Sequence, residues 1–103
     1  MRPISLKFRK RLDKEEYYRY CARGNADCNG RIEIEHANYY QGRQIDEMWN
    51  FIPLCHEHHQ GRHLNKELNQ YLSLKRAKPS DLKKYPRFNW LQKLDYLDKK
   101  YGR

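Results

Sequence analysis

Apolar residues alternate with polar ones in two segments of the chain, and each alternation predicts a short strand. These segments are residues 4–8 and residues 31–35 (RIEIE). A third strand is predicted at residues 51–54 (FIPL), a short apolar run in which Pro53 favours a sheet edge or a strand end. Residues 38–47 are polar, contain a glycine, and are predicted to form a loop.

Helical spacing of apolar residues appears in three other places. Asp13, three residues before Glu16, resembles a capping box and predicts a short helix that ends near Cys21. A longer helix is predicted from His56 to just before Pro79. In the last segment Asn89 can cap a final helix, whose apolar stripe is expected to face the core. That stripe comprises Leu91, Leu94, Leu97 and Tyr101.

Strands followed by helices in 103 residues predict one small α+β domain covering residues 1–103. We expect its core at about 12–77 and a C-terminal helical extension at about 79–103. Only 38% of the residues are hydrophobic and the mean hydropathy is −1.25, so the core is small and needs a further stabilising element. Three cysteines cannot all pair in disulfides, and five histidines accompany them, so we expect a bound metal.

The net charge of +9 is unevenly distributed. Residues 1–20 carry +4 and residues 61–103 carry +8, whereas residues 21–60 carry −3 and contain all three cysteines. Basic arms around an acidic centre are expected if polyanions such as DNA bind at the periphery and cations bind centrally, although a solvated basic surface has the same composition. No apolar run is long enough to span a membrane and no signal region follows Met1, so we expect a cytoplasmic protein without a membrane partner.

Four residues have the chemistry of a closed tetrahedral zinc site. They form two pairs, C-x6-C and C-x2-H, on either side of the predicted strand pair: Cys21, Cys28, Cys55 and His58. The first pair is wider than the usual two to four intervening residues, but Gly24 and Gly30 would let its backbone curl. The alternative is a set of ordinary buried thiols.

His58 and His59 are neighbours, and neighbours on a helix point about 100° apart, so they should serve different sites. On one continuous helix His59 and His63, four residues apart, would share a face and form a second candidate metal site. A solvent-exposed histidine at position 63 is the alternative.

These residues, taken together, resemble the HNH, or ββα-metal, endonuclease family. The similarity covers about residues 12–63 and rests on Glu35-His36, on Asn50 nine residues before His59, and on residues 54–59 (LCHEHH). It is strongest to the small HNH proteins encoded by phages and prophages, which act in the host cell. The resemblance implies a ββα-metal core with a structural zinc, to which the chain adds N- and C-terminal helices.

The resemblance also implies a role for each residue. His36 would be the general base that activates water, and Asn50 would orient it and tie the loop. His59, Glu35 and His63 would hold a catalytic divalent ion, Mg²⁺ or Mn²⁺, with Zn²⁺ or Ni²⁺ as alternatives. The expected activity is metal-dependent hydrolysis of DNA that leaves 5′-phosphate and 3′-hydroxyl ends. A turn residue that opens a strand is the alternative for Asn50.

The alternative class is a non-catalytic zinc module that binds DNA or RNA, which would need none of these residues beyond the zinc ligands. Lys83, Lys84 and Arg87 are the basic residues expected to bind nucleic acid in either case. Two tyrosine-rich runs, residues 17–20 and 39–40, could stack on unpaired bases or pack into the core. One difficulty concerns Glu35 and His36, which can both reach one ion only if their strand ends or bulges there.

Overall fold

The computed structural model describes residues 4–102. They form five helices and four short strands, joined by two 3-10 turns at Glu16–Arg19 and Met48–Asn50. The helices and strands, in chain order, are α1 (Leu6–Lys14), β1 (Ile32–His36), β2 (Tyr39–Tyr40), β3 (Arg43–Gln44), β4 (Phe51–Cys55), α2 (His56–His59), α3 (Lys66–Leu74), α4 (Pro79–Leu82) and α5 (Trp90–Tyr101). The result is a small α+β domain.

Strands β1 and β4 pair antiparallel, and β4 leads directly into α2. Ile32 lies opposite Cys55 and His36 lies opposite Phe51. Strand β4 is buried along its whole length, while β1 is mostly half-buried. Pro53 is accommodated because the sheet has only two strands, so each strand has a free edge. The strands predicted at residues 31–35 and 51–54 are therefore confirmed.

A second antiparallel sheet, β2 with β3, lies within the segment that the sequence predicts to be a loop. Its turn is formed by Gln41 and Gly42, both with positive φ (51° and 76°). Two consecutive residues with positive φ form the type of two-residue turn that joins the strands of a tight hairpin. The prediction of a loop was wrong because a two-residue strand is too short to show alternation.

The N-terminal strand prediction was also wrong, because residues 6–14 form helix α1. Ile4, Phe8 and Leu12 are spaced by four residues, and all three pack with Phe51 and Tyr18. A three-residue alternation cannot be distinguished from the start of a four-residue period, and packing against Phe51 selects the helix. The helix expected to end near Cys21 is only the 3-10 turn Glu16–Arg19.

The long helix predicted from His56 to Pro79 is two helices, α2 and α3, with an irregular segment between them. The Glu57 carboxylate accepts a hydrogen bond from the backbone N–H of His63 at 2.9 Å, which turns the chain after α2. Helix α3 then starts afresh, because the Asn65 side chain accepts from the N–H of Leu68 at 3.1 Å.

The largest core cluster joins α3 to α5 and to the segment before β4. Its buried members are Ile45, Trp49, Tyr71, Leu74, Trp90 and Leu97. Asn89 caps α5 as predicted, accepting from the N–H of Gln92 at 3.0 Å. The predicted stripe is wrong at Leu91, which is 72% exposed, since Trp90 takes the buried position. Within residues 4–102, no helix combines the length and apolarity needed to cross a bilayer.

Candidate metal cluster and adjoining cleft

Three cysteines and one histidine converge where β4 meets α2. Their four potential ligand atoms all lie within 4.8 Å of one another, and they belong to Cys21, Cys28, Cys55 and His58. The three sulfurs lie 3.4, 3.7 and 3.1 Å from Nδ1 of His58, respectively. None of these cysteines is in a disulfide.

The loop that carries Cys28 is held against the start of α2 by its backbone. The N–H of Asn29 points to Sγ of Cys55 at 3.4 Å, and Asn29 O accepts from the N–H of Glu57 at 3.1 Å. Gly24, between the two cysteines of the loop, and Gly30, just after it, both have positive φ. A Cβ on Gly30 would lie 2.7 Å from Cβ of His56, so only glycine lets the loop approach this closely.

The three sulfur–nitrogen distances are close to those that a zinc ion would need. Zn–S bonds of about 2.3 Å and Zn–N bonds of about 2.0 Å at tetrahedral angles place sulfur and nitrogen about 3.5 Å apart. Burial lowers the pKa of His58, with Arg23 adding to the effect, and this favours the neutral imidazole that binds metal. The Cys3His cluster is therefore consistent with a structural zinc. Among the described residues, it is the only group of three or more potential ligands this close together.

A cleft of about 480 Å³ lies beside the cluster, between β1, α2 and the start of α3. Glu35 and His59 line it, together with Lys66, Tyr39 and Gln70. Helix α2 places His58 in the Cys3His cluster and His59 in this cleft, as expected for consecutive residues of a helix. A carboxylate, an imidazole and an ammonium in one cleft can bind a divalent cation together with an anion.

The carboxylate of Glu33 joins β1 to α2. Its Oε1 lies 2.6 Å from Nδ1 of His59 and accepts from the Gln60 amide at 2.9 Å, while Oε2 lies 3.1 Å from Nδ1 of His56. The hydrogen bond with His59 is the main reason that the pKa of Glu33 falls to about 2. Glu33 is therefore a carboxylate throughout the neutral range.

Glu35 is in a different environment, although it lies on the same face of β1. Burial raises its pKa, against the opposing effects of the nearby His59 ring and of the hydrogen bond that Asn69 donates at 3.2 Å. Asn69 is fully buried and also donates to the backbone oxygen of His58 at 3.4 Å. It thus connects the cleft carboxylate to the metal cluster.

His36 lies on the opposite face of β1 and does not line the cleft. The strand continues through His36, which pairs with Phe51, so no bulge brings it beside Glu35. Its ring packs edge-on against Phe51, with the centroids 5.0 Å apart, and its Nε2 lies 3.2 Å from Oδ1 of Asp46. The residue is 4% exposed.

His63 and His59 do not lie on one helix, because α2 ends at His59. Nδ1 of His63 lies 2.9 Å from Glu57, and its Nε2 lies 3.6 Å from Asp27 in the Cys28 loop. The predicted shared helical face is therefore wrong, since the turn after Gln60 carries His63 towards the metal-cluster loop.

Asn50 is fully buried and ties together the chain on both sides of the second sheet. Its Oδ1 accepts from the N–H of Asn38, and its Nδ2 donates to the backbone oxygens of Asn38 and Ile45. Ser73 donates to the same Oδ1 at 3.3 Å, which extends the network to α3.

The three basic residues expected to bind nucleic acid lie on the connection between α4 and α5 and are exposed. Lys84 is 3.7 Å from Glu47, and Lys83 lines an apolar groove of about 370 Å³. Arg87 donates its backbone N–H to the Tyr40 hydroxyl.

The tyrosine runs divide between core and surface. Tyr18 is buried and Tyr40 packs against Tyr85 and Trp90. Tyr20 and Tyr39 are 66% and 49% exposed, and Tyr39 lines the cleft.

Sequence reasoning missed Glu33, Lys66, Asn69 and Asp46. Alternation along β1 could have identified Glu33, because a residue two positions before Glu35 lies on the same face. Asn69 and Asp46 have no such signal, since tertiary packing alone brings them to Glu35 and His36.

Comparisons with protein-family models, curated proteins and solved structures find no match to this chain.

Proposed function

We propose that the protein is a metal-dependent DNA endonuclease of the HNH type. The observation that carries the proposal is the cleft lined by Glu35, His59 and Lys66 beside the Cys3His cluster. Its strand, strand, helix setting is the one that the sequence resemblance implies. The net charge of +9 adds a reason for a polyanionic substrate.

The divalent ion would be held by Glu35 and His59. Mg²⁺ usually keeps several waters and takes only one or two protein carboxylates, with substrate phosphate oxygens completing its shell. Two protein ligands in an open cleft suit that mode better than a closed site of four. Lys66 would lie against the phosphate and balance its charge.

In the proposed reaction His36 accepts a proton from water, and the water oxygen forms a bond to phosphorus while the bond to the 3′-oxygen breaks. The 3′-oxygen takes up a proton, leaving 5′-phosphate and 3′-hydroxyl ends. Asp46 would orient the His36 ring. Since Glu35 and His36 lie on opposite faces of β1, the phosphate would lie across the strand end, where Ala37 lines the cleft.

One observation favours a second candidate, the non-catalytic zinc module that binds DNA or RNA. His36 is buried between Phe51 and Asp46, which is also the environment of a structural histidine. The two candidates differ in whether any substrate is cleaved.

The test is a cleavage assay on supercoiled, linear, single-stranded and branched DNA, with Mg²⁺, Mn²⁺ or no added metal. His36→Ala should abolish cleavage, because water activation is lost, while leaving DNA affinity and bound zinc intact. Since the His36 ring also packs against Phe51, thermal melting must show that the variant is folded. His59→Ala should also abolish cleavage, but high Mn²⁺ should partly restore it, because the loss is in ion binding.

Glu67→Gln is the control, since the Glu67 carboxylate bonds to Lys100 and Tyr101 and does not line the cleft. It should cleave at nearly the parent rate. A His36→Ala variant that cleaves as fast as the parent, in a preparation free of contaminating nuclease, would refute the role of His36. A parent that cleaves no substrate would favour the zinc module.

A further inference from the structure

Both carboxylate oxygens of Glu33 already have protein partners. Oε1 is shared by the His59 ring and the Gln60 amide, while Oε2 lies near the His56 ring and 3.6 Å from Nε of Arg31. The side chain is 14% exposed. Glu33 is therefore poorly placed to bind an ion itself, in contrast to Glu35, which lines the cleft.

The contact with His59 decides which ring nitrogen can serve the cleft. At 2.6 Å from a carboxylate oxygen, Nδ1 of His59 must carry the proton and donate it, because a carboxylate can only accept. No residue among 4–102 is found hydrogen-bonded to Nε2 of His59. A neutral ring with its proton on Nδ1 has its lone pair on Nε2, which is the form that binds a metal ion.

We propose that Glu33 is a positioning residue that holds the His59 ring in the Nδ1–H tautomer, so that Nε2 is presented to a divalent ion in the cleft. This deepens the proposed function and rests on it for the role of the ion. Carboxylates that accept from a ligating histidine commonly fix its orientation and increase its basicity. Here the carboxylate comes from β1 and the histidine from α2, so the contact also aligns the two elements that form the cleft.

The first measurement is made on the parent protein, with one variant used only to assign a signal. Long-range ¹H–¹⁵N correlation spectra of the zinc-loaded parent report which nitrogen of each histidine is protonated, and His59→Ala assigns the signal. We expect the Nδ1–H form for His59. A predominantly Nε2–H ring in the parent would overturn the proposal.

The second measurement is Mn²⁺ titration of the parent, Glu33→Gln and Glu33→Asp, all loaded with zinc. Glu33→Gln removes the charge and lets Nδ1 face a donor, so we expect Mn²⁺ affinity to fall about 10- to 100-fold. Glu33→Asp retains a carboxylate and should lose less. Glu67→Gln is the matched control, because its carboxylate bonds to Lys100 and Tyr101 instead of a histidine, and its Mn²⁺ affinity should be unchanged.

Zinc content and dispersed amide spectra verify that each variant is folded, and Glu33→Asp provides the comparison if Glu33→Gln is not. Folded Glu33 variants with parental Mn²⁺ affinity would overturn the proposal even if the parent cleaves DNA. A parent that binds Mn²⁺ in a Glu33-dependent manner but cleaves nothing supports the positioning role and refutes the nuclease. Absence of Mn²⁺ binding by the parent would overturn the positioning role.

Discussion

The side chain of Asn50 hydrogen bonds to both backbone groups of Asn38, accepting from its N–H at 2.8 Å and donating to its carbonyl at 2.9 Å. Twelve residues separate the two, and the intervening chain forms the second sheet. A single buried amide thus closes that loop from inside the protein. Since Ala37, next to Asn38, lines the cleft, the same amide fixes one wall of the proposed site.

Asn50→Ala should destabilise the fold by about 3 kcal/mol or more, because it leaves three buried backbone groups without this partner, each costing about 1 to 3 kcal/mol. Urea unfolding followed by circular dichroism measures the change. Asn89→Ala, which removes only an exposed helix cap, should cost about 1 kcal/mol. Equal losses of stability in the two variants would contradict the role of the Asn50 hydrogen bonds in closing this loop.

Zinc removal should lower the melting temperature greatly, because ligand residues that are far apart in the chain are held together by the ion. Native mass spectrometry should find one zinc per chain before chelation and none afterwards. The control is the same chelator saturated with zinc. Unchanged melting of a verified zinc-free protein would show that the Cys3His cluster does not need metal.

His63→Ala should reduce cleavage by less than about tenfold, much less than His59→Ala, because His63 contacts Glu57 and Asp27 and not the cleft. Its main effect should be a modest loss of stability in the Cys28 loop. Initial cleavage rates at saturating Mg²⁺ measure the comparison. A loss as large as that of His59→Ala would mean that His63 reaches the ion in the DNA complex.

Changing Lys83, Lys84 and Arg87 to Glu should weaken DNA binding and flatten its dependence on salt, since each phosphate contact on duplex DNA contributes a slope of about −0.9. Lys84 should contribute least, because it lies near Glu47. Fluorescence anisotropy at several salt concentrations measures both quantities, and thermal melting checks the fold. Unaltered affinity and slope would assign these charges to the solvated surface.

Ionisation of the Tyr85 hydroxyl should lower the free energy of unfolding at alkaline pH. Burial and the hydrogen bond to Glu47 raise its pKa to about 12, from an ordinary value of 10. The stabilisation is complete below pH 10 and is lost as the pH rises from 10 to 12, because the folded state then releases the proton less readily than the unfolded state. Melting temperatures of the parent and Tyr85→Phe should therefore converge over that range. A constant difference would contradict the shift.

The elements around the metal cluster could be predicted from the sequence because their signals are local. Alternation gave β1, an apolar run gave β4, and the C-x2-H spacing identified the ligands at the start of α2. The role of Gly24, inside the Cys21–Cys28 loop, was predicted correctly for the same reason, since its positive φ depends on the immediate backbone.

The predictions were wrong where contacts between residues distant in the sequence determine the structure. Phe51 selects a helix for residues 6–14, and the Glu57 carboxylate breaks the predicted long helix by capturing the backbone of His63. The partners of His36 and Glu35, namely Asp46 and Asn69, are 10 and 34 residues away in the chain. Periodicity in the sequence does not reveal contacts between residues this far apart in the chain.

His58 and His59 project in different directions from adjacent positions on one turn of helix. Any ion that fixes the His58 ring also fixes the backbone from which His59 reaches the cleft. If the cleft binds an ion as proposed, the two sites would be thermodynamically linked: loading the cluster would increase affinity in the cleft, and cleft binding would increase affinity at the cluster by the same factor. If both sites bind ions as proposed, molecules without zinc in the Cys3His cluster would therefore also bind the second ion less tightly.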